Sequence, residues 1–553
     1  MRPFLAGTLT VVAALLVFAA LVVPDQLGRL KAGQSVPAAF LRIPLEGILG
    51  AALLLGCPAR ARRLTAATLG AALGLLTVVK IVNIGFLSVL GRRFDPVLDW
   101  PLFSDGYNYL TSTSGRATAI ATVAGAIALG AAVPAVLTAC VVRLARVTIR
   151  HRGPATRSVT ALVAVWAVLA MLGVQVFAGA PVASDSAAVL AKTTALKVPA
   201  ALRDRETFAA EARLDAFRDI PGDQLLGALR GKDVVIAVVE SYGRSALENR
   251  RQAAVVDPAL IAGDRRLAEA GFAARSGFLT SSTYGGGSWL AHASFQSGLW
   301  IDNQQRYRQL VSGQRLTLTG AFRKAGWHTV AVEPGNDRAW PEADFYGYDQ
   351  VYDSRNLGYR GPRFGWSSMP DQFALAAFAR TEYSRPRATP LMAEITLTSS
   401  HTPWTAVPNL VDWNAVGDGS VFSAMAAQGE ERSSLWKSRN RVRTAYARSI
   451  AYSMDSLTSW VRTYADENLV LVIFGDHQAS PTVSGRGADH DVPITVVAHD
   501  KAVLDRIAGW GWQDGLKPGP QAPVWRMDTF RDRFLTAFGP RPPSVRPVPE
   551  PSH

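Results

Sequence analysis

Asp476 and His477 follow an apolar run of strand length, residues 468–474, with only Gly475 between. A carboxylate beside an imidazole suits a divalent ion such as Mn²⁺ or Zn²⁺ better than Ca²⁺, which prefers all-oxygen shells. Neighbours on a strand point to opposite faces, but just past its end the chain can turn both toward one ion. A second apolar run, residues 234–239, ends in Glu240. A carboxylate there is costly to bury unless it is paired or bound to a metal. In an open α/β sheet, ligands gather outside the carboxyl ends of the strands. The two runs therefore read as two halves of one metal site. The plainer alternative is a pair of solvated strand ends, with Glu240 turned to water or to an Arg.

A hydroxyl completes the set. Gly285, Gly286 and Gly287 precede Ser288, and the Trp289–Ala293 run behind it reads as helix. Three glycines let the backbone approach a ligand closely, and a helix N-terminus favours an anion such as phosphate. A metal beside the hydroxyl would make Ser288 a nucleophile. Without one, Ser288 is an ordinary cap in a Gly-rich loop. His401 follows another apolar strand and His490 precedes the next; the whole chain has 8 histidines. Either could hold a phosphate oxygen or protonate a leaving group, and either could be structural. His292 lies one helical turn beyond Ser288.

These residues need a frame. From Gly231 onward, candidate strands at 234–239, 328–332, 391–397, 468–474 and 493–498 alternate with helical stretches at 258–271, 316–325, 371–380 and 435–464. That alternation predicts an α/β domain, a mostly parallel sheet sandwiched by helices, over 231–538. A connector at 181–230, with a helix near 205–218, precedes it, and a Pro-rich tail expected to be disordered follows at 539–553.

Residues 1–180 are different in kind. Five apolar segments, at 4–23, 39–56, 65–90, 117–141 and 158–180, each approach the ~20 residues that span a bilayer. Arg42, Glu46, Lys80 and Asn83 interrupt the second and third. The first has a short basic start but is too long for a signal-peptide core, so it reads as a retained anchor. Arg60, Arg62 and Arg63, then Arg143, Arg146, Arg150, Arg152 and Arg157, place the second and fourth loops in the cytoplasm. Five spans then put the C-terminal domain outside.

The net charge of +14 sits largely in those loops, and the soluble part has no basic run interleaved with aromatics. Nucleic-acid binding is excluded on that ground; anionic lipid head groups fit a basic outer domain better. Cys57 and Cys140 are the only cysteines, so the outer domain has neither a disulfide nor a thiolate nucleophile.

The order of Glu240-Ser, Gly-Gly-Gly-Ser288, the Phe345–Asp353 stretch, Ser400-His401-Thr-Pro, Gly475-Asp476-His477 and His490-Asp-Val-Pro493, behind membrane spans, resembles the sulfatase/alkaline-phosphatase superfamily. Within it, the sequence is similar to membrane-anchored lipoteichoic acid synthases and related phosphoglycerol or phosphoethanolamine transferases. The resemblance implies that Glu240, Asp476, His477 and Ser288 bind one divalent ion, Mn²⁺ favoured over Mg²⁺ or Zn²⁺, with Ser288 the nucleophile. It makes His401, His490, Trp340 and Arg338 substrate-binding residues. It also implies a multi-pass protein of a bacterial-type plasma membrane. Such a protein moves a phospho-alcohol group from a membrane phospholipid to a cell-envelope glycan or polymer through a phosphoserine-type intermediate. A phosphodiesterase or sulfatase on the same scaffold, or an inactive envelope scaffold or sensor, is the alternative. The related synthases carry Thr where Ser288 stands, which keeps Thr283 as a rival nucleophile. The loop at 333–340 departs from the family pattern and leaves the transferred group open. The absence of cysteine from the outer domain favours phosphoglycerol, because related phosphoethanolamine enzymes often carry disulfides.

Overall fold

The computed structural model describes residues 2–30, 41–177, 180–485 and 487–542. Its contacts divide the chain into two units that part between Leu202 and Arg203, with residues 89–91 counted to the second. Most of the expected tail, from residue 543, lies outside the described residues.

The first unit is helical: α1 (Arg2–Leu30), α2 (Leu45–Gly56), α3 (Arg62–Val89), α4 (Pro101–Ser114), α5 (Arg116–Arg150) and α6 (Arg152–Met171). Among the described residues, four helices are long and apolar enough to cross a membrane: α1, α3, α5 and α6. The second expected span differs. With 12 residues between Pro44 and Cys57, α2 is about 18 Å long at 1.5 Å per residue, short of a bilayer core of about 30 Å. The segment is set by its breakers: Pro44 and Pro58 flank it, and the apolar run is read longer in sequence than the helix can be.

The polar interruptions have partners. Lys80 is buried and donates to the Leu21 carbonyl at 3.0 Å, and Asn83 accepts from the Phe94 amide at 2.8 Å. Glu46 accepts from the Ala188 amide at 2.8 Å. Gly70 and Gly74 of α3 face α5 so closely that a Cβ on Gly74 would lie 2.3 Å from Pro134 Cα. Small residues four apart allow this helix-to-helix approach in lipid. The connector contains one long helix, α7 (Ser186–Arg213), which starts well before the expected 205–218.

The second unit is built on a nine-stranded sheet. Its strands are β1 (Asp233–Val239), β2 (Ala273–Thr280), β3 (His328–Glu333), β4 (Gln350–Asp353), β5 (Leu391–Leu397), β6 (Leu469–Gly475), β7 (Asp491–Ala498), β8 (Gln513–Asp514) and β9 (Val524–Arg526). The order is β8-β2-β7-β6-β1-β5-β3-β4, with β9 also on β2. From β6 to β4 every pairing is parallel, whereas β7 runs antiparallel to both β6 and β2. The sheet is therefore mixed, mostly parallel, with β7 and β8 running against the other strands. Residues 493–498, one of the expected strands, run antiparallel to both neighbours, a direction the sequence does not show because it leaves no mark on a fully buried apolar run.

Both faces are covered. Val235, Ala237 and Val239 of β1 share a core with Val256 and Leu260 of α8 (Arg250–Glu269) and with Tyr446 and Trp460 further along. Val234, Ile236 and Val238 face the opposite core with Phe295, Phe322 and Phe530. Burial on both faces is why β1 and β6 are apolar at nearly every position instead of alternating.

Candidate active site

Register decides the meeting of Glu240 and Asp476. In the parallel pair β1–β6, Val239 lies opposite Gly475, so the next residues, Glu240 and Asp476, leave the sheet side by side. Gly475 is required there: a Cβ on it would stand 1.9 Å from the Tyr242 carbonyl oxygen. Behind the strand ends, the amides of Ser241 and His477 both donate to Asp476 Oδ1, at 2.7 and 2.8 Å. Ser241 takes a positive φ of 58° to do so, a conformation held by Tyr446, whose hydroxyl donates to the Ser241 carbonyl at 2.7 Å.

Ser288 arrives from β2, which points the same way as β6 because two antiparallel pairings separate them. Gly285, Gly286 and Gly287 have φ of 72°, 152° and 86°, a run that side-chain-bearing residues would strain. Gly287 occupies the cap position and Ser288 is the first residue of α9 (Ser288–Ser297). Its hydroxyl is thus not spent on capping. It donates to Glu240 Oε2 at 3.0 Å and lies 3.2 Å from His477 Nε2. Thr283 is buried beneath Gly287, and its Oγ1 has no hydrogen-bond partner.

Donor atoms of Glu240, Asp476 and His477 all lie within 4.8 Å of one another. His477 Nδ1 donates to the Gln478 carbonyl at 2.8 Å, which leaves Nε2 with its lone pair toward the cluster, 3.4 Å from Glu240 and 3.5 Å from Asp476. Asp476 Oδ2 is buried and has no hydrogen-bond partner. An unpaired carboxylate oxygen in such a place costs about 1–3 kcal/mol or more. Burial, reinforced by Glu240, pushes the Asp476 carboxyl up to about 6. Two carboxylates, an imidazole of fixed tautomer and a serine hydroxyl fit a divalent cation, and the orphaned oxygen is where one is missed.

The other expected residues sit as follows. His401, beyond the end of β5, stacks on Trp366 with ring centroids 3.9 Å apart, and its Nδ1 donates to the Thr402 carbonyl at 2.7 Å. Burial, with His477 adding to it, lowers His401 to about 4, so the ring is neutral at pH 7. His490 opens β7 and lies at the same sheet edge because that strand is antiparallel; its Nδ1 is 3.2 Å from the Ser281 carbonyl. Trp340 packs 5.4 Å from Tyr346 and 5.9 Å from Tyr348. Arg338 is exposed beside Asp337 at 3.4 Å. Neither belongs to the cluster of ligand atoms.

A cavity of ≈ 940 Å³ lies behind Trp404, lined also by Pro408, Met425 and Tyr452, and none of the clustered residues lines it. Trp366, Glu333 and Glu394 were not singled out from the sequence. Glu394 had a readable signal, an acid inside the seven-residue apolar strand β5, the same signal that marked Glu240. Trp366 had none.

With this geometry in place, the comparison with known proteins is informative. Residues 232–495 match the Sulfatase family. The matched stretch lies within the second unit. The match covers every member of the ligand cluster and both candidate histidines. No curated protein matches the chain. Among solved structures, the lipoteichoic acid synthase LtaP from Listeria monocytogenes is 14% identical, with 57% of this chain and 73% of that chain aligned at a TM-score of 0.36. The phosphoglycerol transferase GacH from Streptococcus pyogenes, in complex with sn-glycerol-1-phosphate, is 12% identical over 60% and 81%, at 0.38. The periplasmic domain of the phosphoethanolamine transferase EptC from Campylobacter jejuni is 11% identical over 57% and 96%, at 0.36.

Proposed function

We propose that this protein is a membrane-anchored, metal-dependent phosphotransferase that moves a phospho-alcohol group, phosphoglycerol in the first instance, from a membrane phospholipid to a cell-envelope glycan or polymer. The observation that carries this reading is a serine hydroxyl that is not spent on capping its helix. Ser288 Oγ stands at the N-terminus of α9, against Glu240 and His477, beside a carboxylate oxygen that lacks a partner.

Glu240, Asp476, His477 and Ser288 would hold the ion; a bound divalent cation lowers the hydroxyl pKa and neutralises phosphoryl charge. Ser288 Oγ gives up its proton and attacks phosphorus, the bond from phosphorus to the diacylglycerol oxygen breaks, and that oxygen takes up a proton in turn. The amides at the start of α9 favour the phosphoryl oxygens. His401, neutral, stacked on Trp366 and with its one N–H given to Thr402, accepts a hydrogen bond from the head group rather than pairing with it as a cation. An acceptor hydroxyl then displaces the group from Ser288. His490, Trp340 and Arg338 are proposed to line the donor or acceptor side.

The spans fit a lipid donor. Loop four, around His151 between α5 and α6, is rich in Arg and is assigned to the cytoplasm by the positive-inside rule. Crossing back through α6 then puts the catalytic unit outside, whether or not the short α2 crosses. An anchor of this kind keeps the site near its donor and raises effective concentration.

Incubating the purified chain with phosphatidylglycerol labelled in the head group tests the reading. Intact-mass analysis is expected to show a phosphoglycerol adduct that is absent from Ser288→Ala. Free glycerol phosphate without labelled acceptor would make the enzyme a hydrolase. Phosphatidylethanolamine as the sole adduct donor would change the transferred group. Full complementation of a deletion strain by Ser288→Ala would make it a scaffold.

A further inference from the structure

Beside the cluster described above, the fold assembles a second one with the same chemistry. Ligand atoms of His292, Glu333 and Glu394 lie within 4.8 Å of one another. The three come from separate elements: His292 from α9, Glu333 from the carboxyl end of β3, and Glu394 from the middle of β5. Glu394 is 2% exposed and shares its sheet face with Met392, toward α9. A carboxylate in that position is expensive unless a cation or several donors meet it.

The donors approach from behind. Tyr348 donates to Glu394 Oε2 at 2.7 Å, Gln296 donates to the same oxygen, and Thr396 donates to Glu333 Oε1 at 2.9 Å. Such contacts orient carboxylates that bind metals. On the other side, His292 Nδ1 is 3.4 Å from Glu394 Oε1, and His292 Nε2 is buried with no hydrogen-bond partner. Two carboxylates held this close repel unless a proton or a metal lies between them.

We infer that His292, Glu333 and Glu394 form a second divalent-cation site, distinct from the one at Glu240, Asp476 and His477. Two carboxylates and one imidazole are again the donor set, which suits Mn²⁺ or Zn²⁺ and not an all-oxygen ion. His292 is one helical turn from Ser288 on α9, so the second ion would lie next to the first and add positive charge to the same cleft. Because the sites share no ligand, each can be emptied alone.

The test is equilibrium dialysis of the full chain in detergent, stripped with chelator and then exposed to Mn²⁺ or to Zn²⁺, with metal per chain read by mass spectrometry. Wild type is expected to hold two ions, and Glu394→Gln and Asp476→Asn one each. The double variant should hold none. Glu333→Gln serves if Glu394→Gln fails to fold, because Glu333 is partly exposed and glutamine can still accept from Thr396. One ion in wild type, lost in Asp476→Asn but kept in Glu333→Gln and Glu394→Gln, overturns the inference. So does a second ion that survives both glutamine variants. One ion lost in Glu333→Gln but kept in Asp476→Asn would uphold the second site and sink the first, so the two readings fail separately.

Discussion

At the scale of single residues, the proposed chemistry rests on a hydroxyl kept out of the capping role. Because Gly287 caps α9, removing the Ser288 oxygen costs the helix little. Ser288→Ala is therefore expected to lower turnover of a labelled phospholipid by at least about 10³-fold, as loss of a nucleophile does, with an unfolding midpoint close to wild type. Ser288→Thr keeps a hydroxyl and should retain measurable turnover. If Thr283 were the nucleophile, Ser288→Ala would still form the adduct and Thr283→Val would abolish it. Asp371 offers a residue-scale prediction about pH. It is fully buried, takes the Ser399 amide and the Ser453 hydroxyl at 2.9 and 2.6 Å, and burial pushes it up to about 6. An acid raised on folding gives its proton up more readily when unfolded. Stability from this group is thus highest below about pH 4, falls as pH rises to about 6, and is flat above. The span is on the order of 3 kcal/mol. Asp371→Asn should remove that slope, because Ser453 also donates to the Ser449 carbonyl and can accept from an amide. Thermal midpoints across pH 4–7 with an unchanged slope would refute it.

At the scale of elements, the site is a property of one sheet edge. The carboxyl ends of β1, β2, β3, β5 and β6 and the amino end of the antiparallel β7 all open there, which brings Glu240, Ser288, Glu333, His401, Asp476 and His490 to the same rim. Gly475 shows how tight the crossing is. Gly475→Ala would drive a methyl into the Tyr242 carbonyl and separate Glu240 from Asp476. Metal occupancy is expected to fall in that variant even though every ligand is retained; full occupancy by mass spectrometry would show that the loops give way. Asp371 acts here too, since it ties the start of α10 (Asp371–Phe378) to Ser399, two residues before His401. Strand composition made the central strands legible from the sequence. It did not reveal β2, whose Ala-Ala-Arg-Ser-Gly start breaks the apolar pattern, nor the direction of β7. Glu394 escaped notice because a single acid in a strand has no visible partner until β3 and α9 are folded over it.

For the whole molecule, the question raised by the proposed topology is which side of a membrane the second unit faces. Cysteine labelling answers it. With Cys57 and Cys140 replaced by serine, a cysteine at Asp514, whose side chain is 89% exposed, should react with a membrane-impermeant thiol reagent in intact cells. One at Arg150 should not. The reverse pattern would place the Arg-rich loop outside and remove the lipid-facing argument. In the helical unit, Gly74→Leu is expected to lower the unfolding midpoint, because Pro134 leaves no room for a side chain; an unchanged midpoint in detergent would mean that α3 and α5 are not held at that contact. By itself the sequence determined what composition and spacing can carry: an apolar helical part, an α/β part, and a set of ligand-type residues at strand ends. Only the tertiary structure decided which strand ends meet, that Ser288 reaches Glu240 and His477 while the Thr283 hydroxyl has no hydrogen-bond partner, and that His292, Glu333 and Glu394 converge. The reason is physical. Helix and strand periodicity are local and written into neighbouring residues, whereas register, strand direction and the convergence of ligand atoms depend on contacts between residues tens to hundreds of positions apart.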